Sequence, residues 1–154
     1  MKREYSPLLK SGHKEIALWQ LDSFFLEPFG YNEQRKYLID RLKAFIEEFQ
    51  AIGIEAEIWM NGSFTTEHPE PADIDLVFLL DRNAVDSLTG QQAYQFQKFL
   101  MDREMVKIRY SCDAFFIDKN DPEEIRKWQE VYGFDRRRME TKGIFTMKVK
   151  GHHV

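Results

Sequence analysis

Between Met60 and Leu80 the chain reads MNGSFTTEHPEPADIDLVFLL. Asp73 and Asp75 alternate around Ile74 at the opening of an apolar run. In an extended strand, residues i and i+2 point to one face, roughly 6–7 Å apart, which is close enough to share divalent cations. Upstream, Gly62-Ser63 offers a turn whose bare backbone N–H groups can approach a phosphate. A third acid, Asp113, lies within the apolar run Cys112–Ile117. A carboxylate in such a place is costly unless it binds a cation or is paired. Three carboxylates suffice for two Mg2+ (or Mn2+) ions, with waters and phosphate oxygens completing the octahedral shells. In two-metal catalysis such ions stand about 3.5–4 Å apart, one activating the attacking hydroxyl and the other steadying the leaving group. The residue types and spacing therefore point to metal-assisted phosphoryl or nucleotidyl transfer, provided that the strand bearing Asp113 neighbours the one bearing Asp73 and Asp75.

The elements that must position these residues can be read from periodicity. Leu38, Leu42, Phe45, Ile46, Phe49 and Ile52 recur at helical spacing, with Glu33, Arg35, Lys36, Asp40 and Glu47 on the other side. Asn32 reads as the N-cap and Gly53 as the stop. Glu55–Met60 alternates as a strand ending at the Asn61-Gly62-Ser63 turn. In Asp73–Leu80, Asp73, Asp75, Val77 and Leu79 share one face, while Ile74, Leu76, Phe78 and Leu80 form a wholly apolar face, as expected of a central strand covered by helices. Val85–Asp102 reads as a helix with an uncertain start at Gly90. Lys107–Ile117 alternates as a third strand. Asp121-Pro122-Glu123-Glu124 reads as an N-cap, a first-turn Pro and a capping Glu, opening a helix that ends near Gly133. Gly143–Val149 reads as a Lys-flanked edge strand. Residues 1–32 read as an ordered arm or short helix packed on a core of residues 33–150, the whole being one domain of 154 residues. The fold class expected is α/β, with a small mixed sheet flanked by helices.

Gly62-Ser63, a spacer, Asp73-Ile74-Asp75 in a strand and a later strand acid at Asp113 resemble the signature of the DNA polymerase beta-type nucleotidyltransferases. The chain is most similar to the small bacterial and phage-associated nucleotidyltransferase-like proteins, and the resemblance extends over residues 30–150 to the KGIF near the end. The resemblance implies the minimal nucleotidyltransferase fold. It implies that Gly62, Ser63 and Thr65 bind the nucleotide, that Asp73 and Asp75 ligate both metals, and that Asp113 ligates the catalytic one and helps activate the acceptor hydroxyl. It further implies transfer of a nucleoside monophosphate from an NTP to an RNA, protein or small-molecule hydroxyl, with a partner protein or second copy aiding acceptor recognition, in a toxin–antitoxin or phage-defence setting. The chain departs from the pattern in one respect. Many members carry Arg or Lys just after the Gly-Ser pair, whereas here Phe64–Pro71 holds no basic side chain except His68, two acids and two prolines. Thr65, Thr66 and backbone amides, or Arg82, Arg109 and the basic tail, are then left to meet a triphosphate.

Composition sets further bounds. Hydrophobic residues make up 43% and charged ones 31%, which suits a packed domain and excludes disorder. The net charge of −4 excludes a general nucleic-acid binder. Residues 135–154, however, hold six Lys or Arg against two acids. The single cysteine, Cys112, excludes an internal disulfide and a thiolate zinc cluster and is expected as a small core residue. No apolar run approaches membrane-spanning length and the start has no signal core, so a cytoplasmic location is expected. Trp19, Trp59 and Trp128 are expected in packing, His68 in a solvated loop and His152-His153 at an unstructured end. Two rival readings stay open: a catalytically degenerate nucleotide- or partner-binding module, and a metal-dependent phosphoesterase or nuclease using the same acids.

Overall fold

The computed structural model describes residues 5–134 and 140–151. Arg136–Arg138 of the basic tail, and His152-His153 at the end of the chain, lie outside the described residues. The fold is α/β. A five-stranded mixed sheet is built from β1 (His13–Glu15), β2 (Ala56–Asn61), β3 (Ile74–Leu80), β4 (Cys112–Asp118) and β5 (Ile144–Val149), in the order β1-β5-β2-β3-β4. β2 runs antiparallel to both β3 and β5, whereas β3 and β4 are parallel, as are β1 and β5. The helices are α1 (Leu21–Phe25), α2 (Glu33–Gln50), α3 (Arg82–Asp86), α4 (Gly90–Gln95), α5 (Arg103–Tyr110) and α6 (Pro122–Tyr132).

The two faces of the sheet bury different material. One face, with Ile58, Met60, Leu76, Phe78, Cys112, Ala114, Phe145 and Met147, packs on the apolar stripe of α2 and forms the main core. Phe45 stacks on Tyr110 and meets Phe78 edge-on, so α2, α5 and β3 share one aromatic contact. Each such fully buried side chain contributes about 1.5–3 kcal/mol. The other face buries Trp59, Val77, Leu79 and Ile144 beneath Trp128 and Tyr132 of α6. The acids of the 60–80 region begin this second face. Asn32 accepts from the Arg35 amide as the N-cap of α2, and Asp121 accepts from the amides of Glu123 and Glu124 ahead of Pro122, as their sequences predict.

Three expectations need correcting. Residues 107–110 are helical, and only Cys112–Asp118 is strand. Alternation suggested a strand from Lys107, but Asp102 caps a helix by accepting from the Met105 amide, and Val106 and Tyr110, four apart, bury one helical face. The helix stops at Ser111, which takes a left-handed conformation with φ 54° and turns the chain into β4. Second, β5 is not an edge strand. The three-residue β1, too short to show a period, pairs alongside it, and Lys148 lies 3.3 Å from Glu15 across that pairing. Third, Val85–Asp102 is broken into α3, α4 and a π-helical segment, Phe96–Leu100. Gly90 supplies a positive φ at the start of α4, and the π segment buries both Phe96 and Leu100.

Ser111 gives a test of the helix-to-strand switch. An L-residue in the left-handed region costs about 1–2 kcal/mol that glycine does not. Ser111→Gly is therefore expected to be neutral or to stabilise by up to ~1 kcal/mol in urea unfolding. Ser111→Val is expected to destabilise by more than ~1 kcal/mol. If residues 107–117 were one continuous strand, the order would reverse, because valine favours strands.

Candidate metal and phosphate site

The acids meet because of strand register. β3 and β4 pair in parallel with Asp75 opposite Asp113, so both side chains rise from the same face on backbones about 4.8 Å apart. Asp73 lies just before β3, and the Ile74 amide donates to the Ser111 carbonyl at the entrance to β4. Their charges interact: burial first, then the charges of Asp73 and Asp113, push the Asp75 carboxyl up to about 6. Lys142 and Lys107 act in the opposite sense on the same group.

Cations already sit against the other two acids. Arg103, at the start of α5, forks Asp113 with Nε–Oδ1 2.5 Å and Nη2–Oδ2 2.9 Å, and this hydrogen-bonded guanidinium holds Asp113 below the usual carboxylate range. Lys107 Nζ lies 3.5 Å from Asp73 Oδ2. With two carboxylates turned to these partners, no three His, Cys, Asp or Glu side chains among the described residues are gathered closely enough to hold a metal ion as they stand.

Gly62 closes the site on the β2 side. Asn61 pairs with Asp75 across the antiparallel ladder. Gly62 follows with φ 82°, and a Cβ there would come within 2.5 Å of Asp75 Oδ2. Only glycine lets the backbone lie this close to the carboxylate. Asn61 fixes the turn by accepting from the Gly62 amide at 2.9 Å and donating to the Tyr132 carbonyl at 3.0 Å. Lys142 Nζ donates to the Gly62 carbonyl at 3.0 Å. Ser63–Thr65 then forms a 3-10 turn, whose first amides, those of Ser63 and Phe64, have no acceptor within the turn itself. Thr65 is fully buried, and its hydroxyl donates back to the Gly62 carbonyl. It therefore shapes the turn from inside.

The residue that holds this loop in place was misread from sequence. Arg35 was placed with the polar side of α2, yet it is fully buried. All five of its N–H donors are used. Nη1 donates to the carbonyls of Phe25 (3.0 Å) and Phe64 (2.9 Å), Nη2 to those of Thr66 (2.8 Å) and His68 (2.7 Å), and Nε to His68 (3.2 Å). Its guanidinium stacks 3.6 Å from the centre of the Phe29 ring. Burial lowers its pKa to about 10, so it stays charged at neutral pH. Asn32 and Gln34 add donors to the carbonyls of Pro69 and Pro71. The signal available in sequence was indirect: a loop of eight residues with no regular structure needs donors for its carbonyls, and one Arg in the first turn of the preceding helix can supply five.

The remaining candidates have other roles. Arg82 follows β3 at the end of the strand remote from Asp75 and is paired with Asp86. Arg109 stacks on Tyr110 and its carbonyl receives Arg41. His68 accepts from the Glu70 amide and its ring contacts Tyr5. Trp59 is buried and meets His13 edge-on, and Cys112 is buried as expected, whereas Trp19, expected in packing, is 77% exposed. Of the basic tail, Lys142 does reach the turn after β2, while Tyr132 went unread; its buried hydroxyl has no partner among the described residues and feels the charges of Asp75 and Asp113.

The donor chemistry is that of a divalent-cation site, although the three carboxylates are not gathered around one point as they stand. A desolvated carboxylate stands in the field of two others, a glycine cradle excludes any side chain beside it, and at the same end of the sheet the buried Tyr132 hydroxyl has no partner among the described residues. The chain belongs to a family of unknown function, DUF6932, whose model matches residues 5–148. No curated protein and no solved structure matches the chain. No helix among the described residues is long and apolar enough to cross a membrane.

Two outcomes are expected of variants here. Arg35→Met leaves four buried carbonyls without their donor, so at least ~4 kcal/mol should be lost in urea unfolding, with Arg35→Lys intermediate. A loss below ~1 kcal/mol would show that the loop does not depend on the guanidinium. For Asp75, the folded-state pKa of about 6 lies above the ordinary aspartate value of 3.8. The stability of the neutral acid is thus fully present below pH 3.8 and is lost as pH rises through about 6. Asp75→Asn should therefore match wild type near pH 4 and exceed it at pH 8, by no more than ~3 kcal/mol. Equal melting temperatures at both pH values would contradict the crowding of charge.

Proposed function

We propose that this chain is a metal-dependent nucleotidyltransferase, moving a nucleoside monophosphate from an NTP to a hydroxyl acceptor. The observation that carries this reading is the parallel register that sets Asp75 against Asp113 while Gly62 lies flush against the Asp75 carboxylate. Asp73, Asp75 and Asp113 would hold Mg2+ or Mn2+. When bound, such an ion supplies Lewis-acid polarisation of phosphoryl oxygens and a lowered hydroxyl pKa.

The chain's own residues do the rest. Asp113, held as an anion by Arg103, would on this reading accept the proton of the acceptor hydroxyl once that fork opens, as the hydroxyl oxygen bonds to the α-phosphorus and pyrophosphate departs. The Gly62-Ser63 turn, shaped by Thr65 and held by Arg35, offers amides to the phosphates. Lys142, at the Gly62 carbonyl, contributes positive charge on that flank. The acceptor classes under this proposal are an RNA, a protein or a small molecule, with a partner protein or a second copy completing acceptor recognition. The toxin–antitoxin or phage-defence setting and the cytoplasmic location belong to the same proposal and rest on the sequence resemblance alone.

A second reading, a degenerate module that binds a nucleotide or partner without turnover, is favoured by the Arg103–Asp113 and Lys107–Asp73 pairs, which neutralise two of the acids internally. Incubation of the protein with α-labelled NTPs, Mg2+ and a mixture of RNA and protein separates the readings. Transfer of label to a macromolecule, at least ~100-fold reduced in Asp75→Ala, is the expected outcome. Hydrolysis of NTP or RNA without transfer would instead make the chain a phosphoesterase or nuclease. No turnover, with nucleotide binding that survives Asp75→Ala, would make it the binding module.

A further inference from the structure

The loop after Ser63 cannot supply the positive charge that a triphosphate or a phosphodiester requires. It contains no Arg or Lys, and the carbonyls of Phe64, Thr66 and His68 are turned into Arg35. On the opposite flank of the acids, α5 presents two cations. Arg103 and Lys107 are four residues apart, so they lie on one helical face. Both are largely exposed, at 58% and 57% of the side chain, so each can change partner without disturbing the core.

Arg103 occupies both oxygens of Asp113. A divalent cation that approaches those oxygens from the same side competes with it for their lone pairs. The displaced guanidinium has a platform to remain on, because it already lies 4.3 Å from the centre of the Phe115 ring, next but one to Asp113 along β4. Lys107 stands in the same relation to Asp73. Two cations released beside newly metal-bound carboxylates are then positioned for the anions that accompany the metal.

Resting on the nucleotidyltransferase reading of the same site, we propose that Arg103 and Lys107 exchange partners when the site loads, giving up Asp113 and Asp73 to divalent metal and holding phosphate groups of the substrate. They are the basic side chains that the Gly-Ser loop lacks. The shared ligand chemistry is a phosphate oxygen, which either the NTP donor or a nucleic-acid acceptor can bring.

The exchange predicts effects of opposite sign from one substitution. Binding of Mn2+ alone, of a non-hydrolysable ATP analogue with saturating Mn2+, and of a fluorescein-labelled oligoadenylate with saturating Mn2+ would be measured for wild type, Arg103→Gln, Lys107→Gln and the double variant, each first shown to keep the wild-type melting temperature within a few degrees. The double variant should bind Mn2+ several-fold tighter, since two competitors are gone. It should bind one of the phosphate probes at least ~10-fold weaker, since charge-assisted hydrogen bonds are lost. Loss confined to the ATP analogue assigns the cations to the donor, and loss confined to the oligonucleotide assigns them to the acceptor. Arg103→Lys should retain most phosphate binding. Tighter Mn2+ binding with both phosphate probes unchanged would reduce the pairs to plain surface ion pairs and overturn the proposal. A wild-type protein that takes up neither Mn2+ nor either probe would instead overturn the nucleotidyltransferase reading itself.

Discussion

A single buried guanidinium sets the geometry on which the candidate site depends. Arg35 carries its charge into the core with five hydrogen bonds to backbone carbonyls and no carboxylate partner among them. A buried cation left without partners would be intolerable; here the partners are the loop itself. The arrangement is reciprocal. The loop has too little regular structure to satisfy its own carbonyls, and the cation has too little water to stay charged alone. Each makes the other possible, and the result is a rigid base beneath the 3-10 turn that follows Gly62. Because Asn32 and Gln34 of the same helical turn bind the carbonyls of Pro69 and Pro71, the whole span from Phe64 to Pro71 is referenced to the start of α2. That helix in turn anchors itself in the main core through Leu38, Ile39, Leu42, Phe45, Ile46 and Phe49.

Upon that base, one end of the sheet collects charge of both signs. Moving across the strands, Lys142 beside β5 touches the turn after β2, Asp75 heads β3, Asp113 heads β4, and Arg103 reaches in from α5. Hydrophobic burial by α6 fixes the floor of this end, through Trp128 and Tyr132. Electrostatics then distributes unevenly over it. Asp113 is stabilised as an anion by its fork, whereas Asp75, which has like charges nearby and little solvent, is not. With Asp113 and Asp73 paired to Arg103 and Lys107, the uncompensated burial and like charge fall on Asp75, and carboxyls perturbed in this way are found more often at functional sites than elsewhere.

The alternating Asp73-Ile74-Asp75, the Gly-Ser turn and the wholly apolar face of β3 announced the acid-bearing strand and its central place, because a period of two on a covered strand is hard to mimic. Asn32 and the Asp121-Pro122 pair announced their helices through capping chemistry that acts locally. Local signals failed where tertiary contacts decide. Lys107–Ser111 alternates by coincidence, and its helical state follows from the Asp102 cap and the packing of Val106 and Tyr110. β1 is too short to carry a period. Arg35 looked like a surface residue because its partners are backbone carbonyls elsewhere in the chain, which leave no trace in side-chain pattern. The strand-borne acids were legible, but the Arg103 and Lys107 pairs were not, since Lys107 was read into a strand and Arg103 into no element, whereas both lie on α5.

The parallel pairing of β3 with β4 carries a kinetic corollary. Antiparallel neighbours can zip from a hairpin, but parallel ones cannot. Residues 81–111 must all fold back over the main core before β4 can dock, and until then Asp113 is remote from Asp75. The repulsion between Asp113 and Asp75 therefore arises only when β4 docks on β3, whereas that between Asp73 and Asp75, two residues apart, is local. The hairpin-like pairing of β2 with β3 needs none of the Asp113 charge.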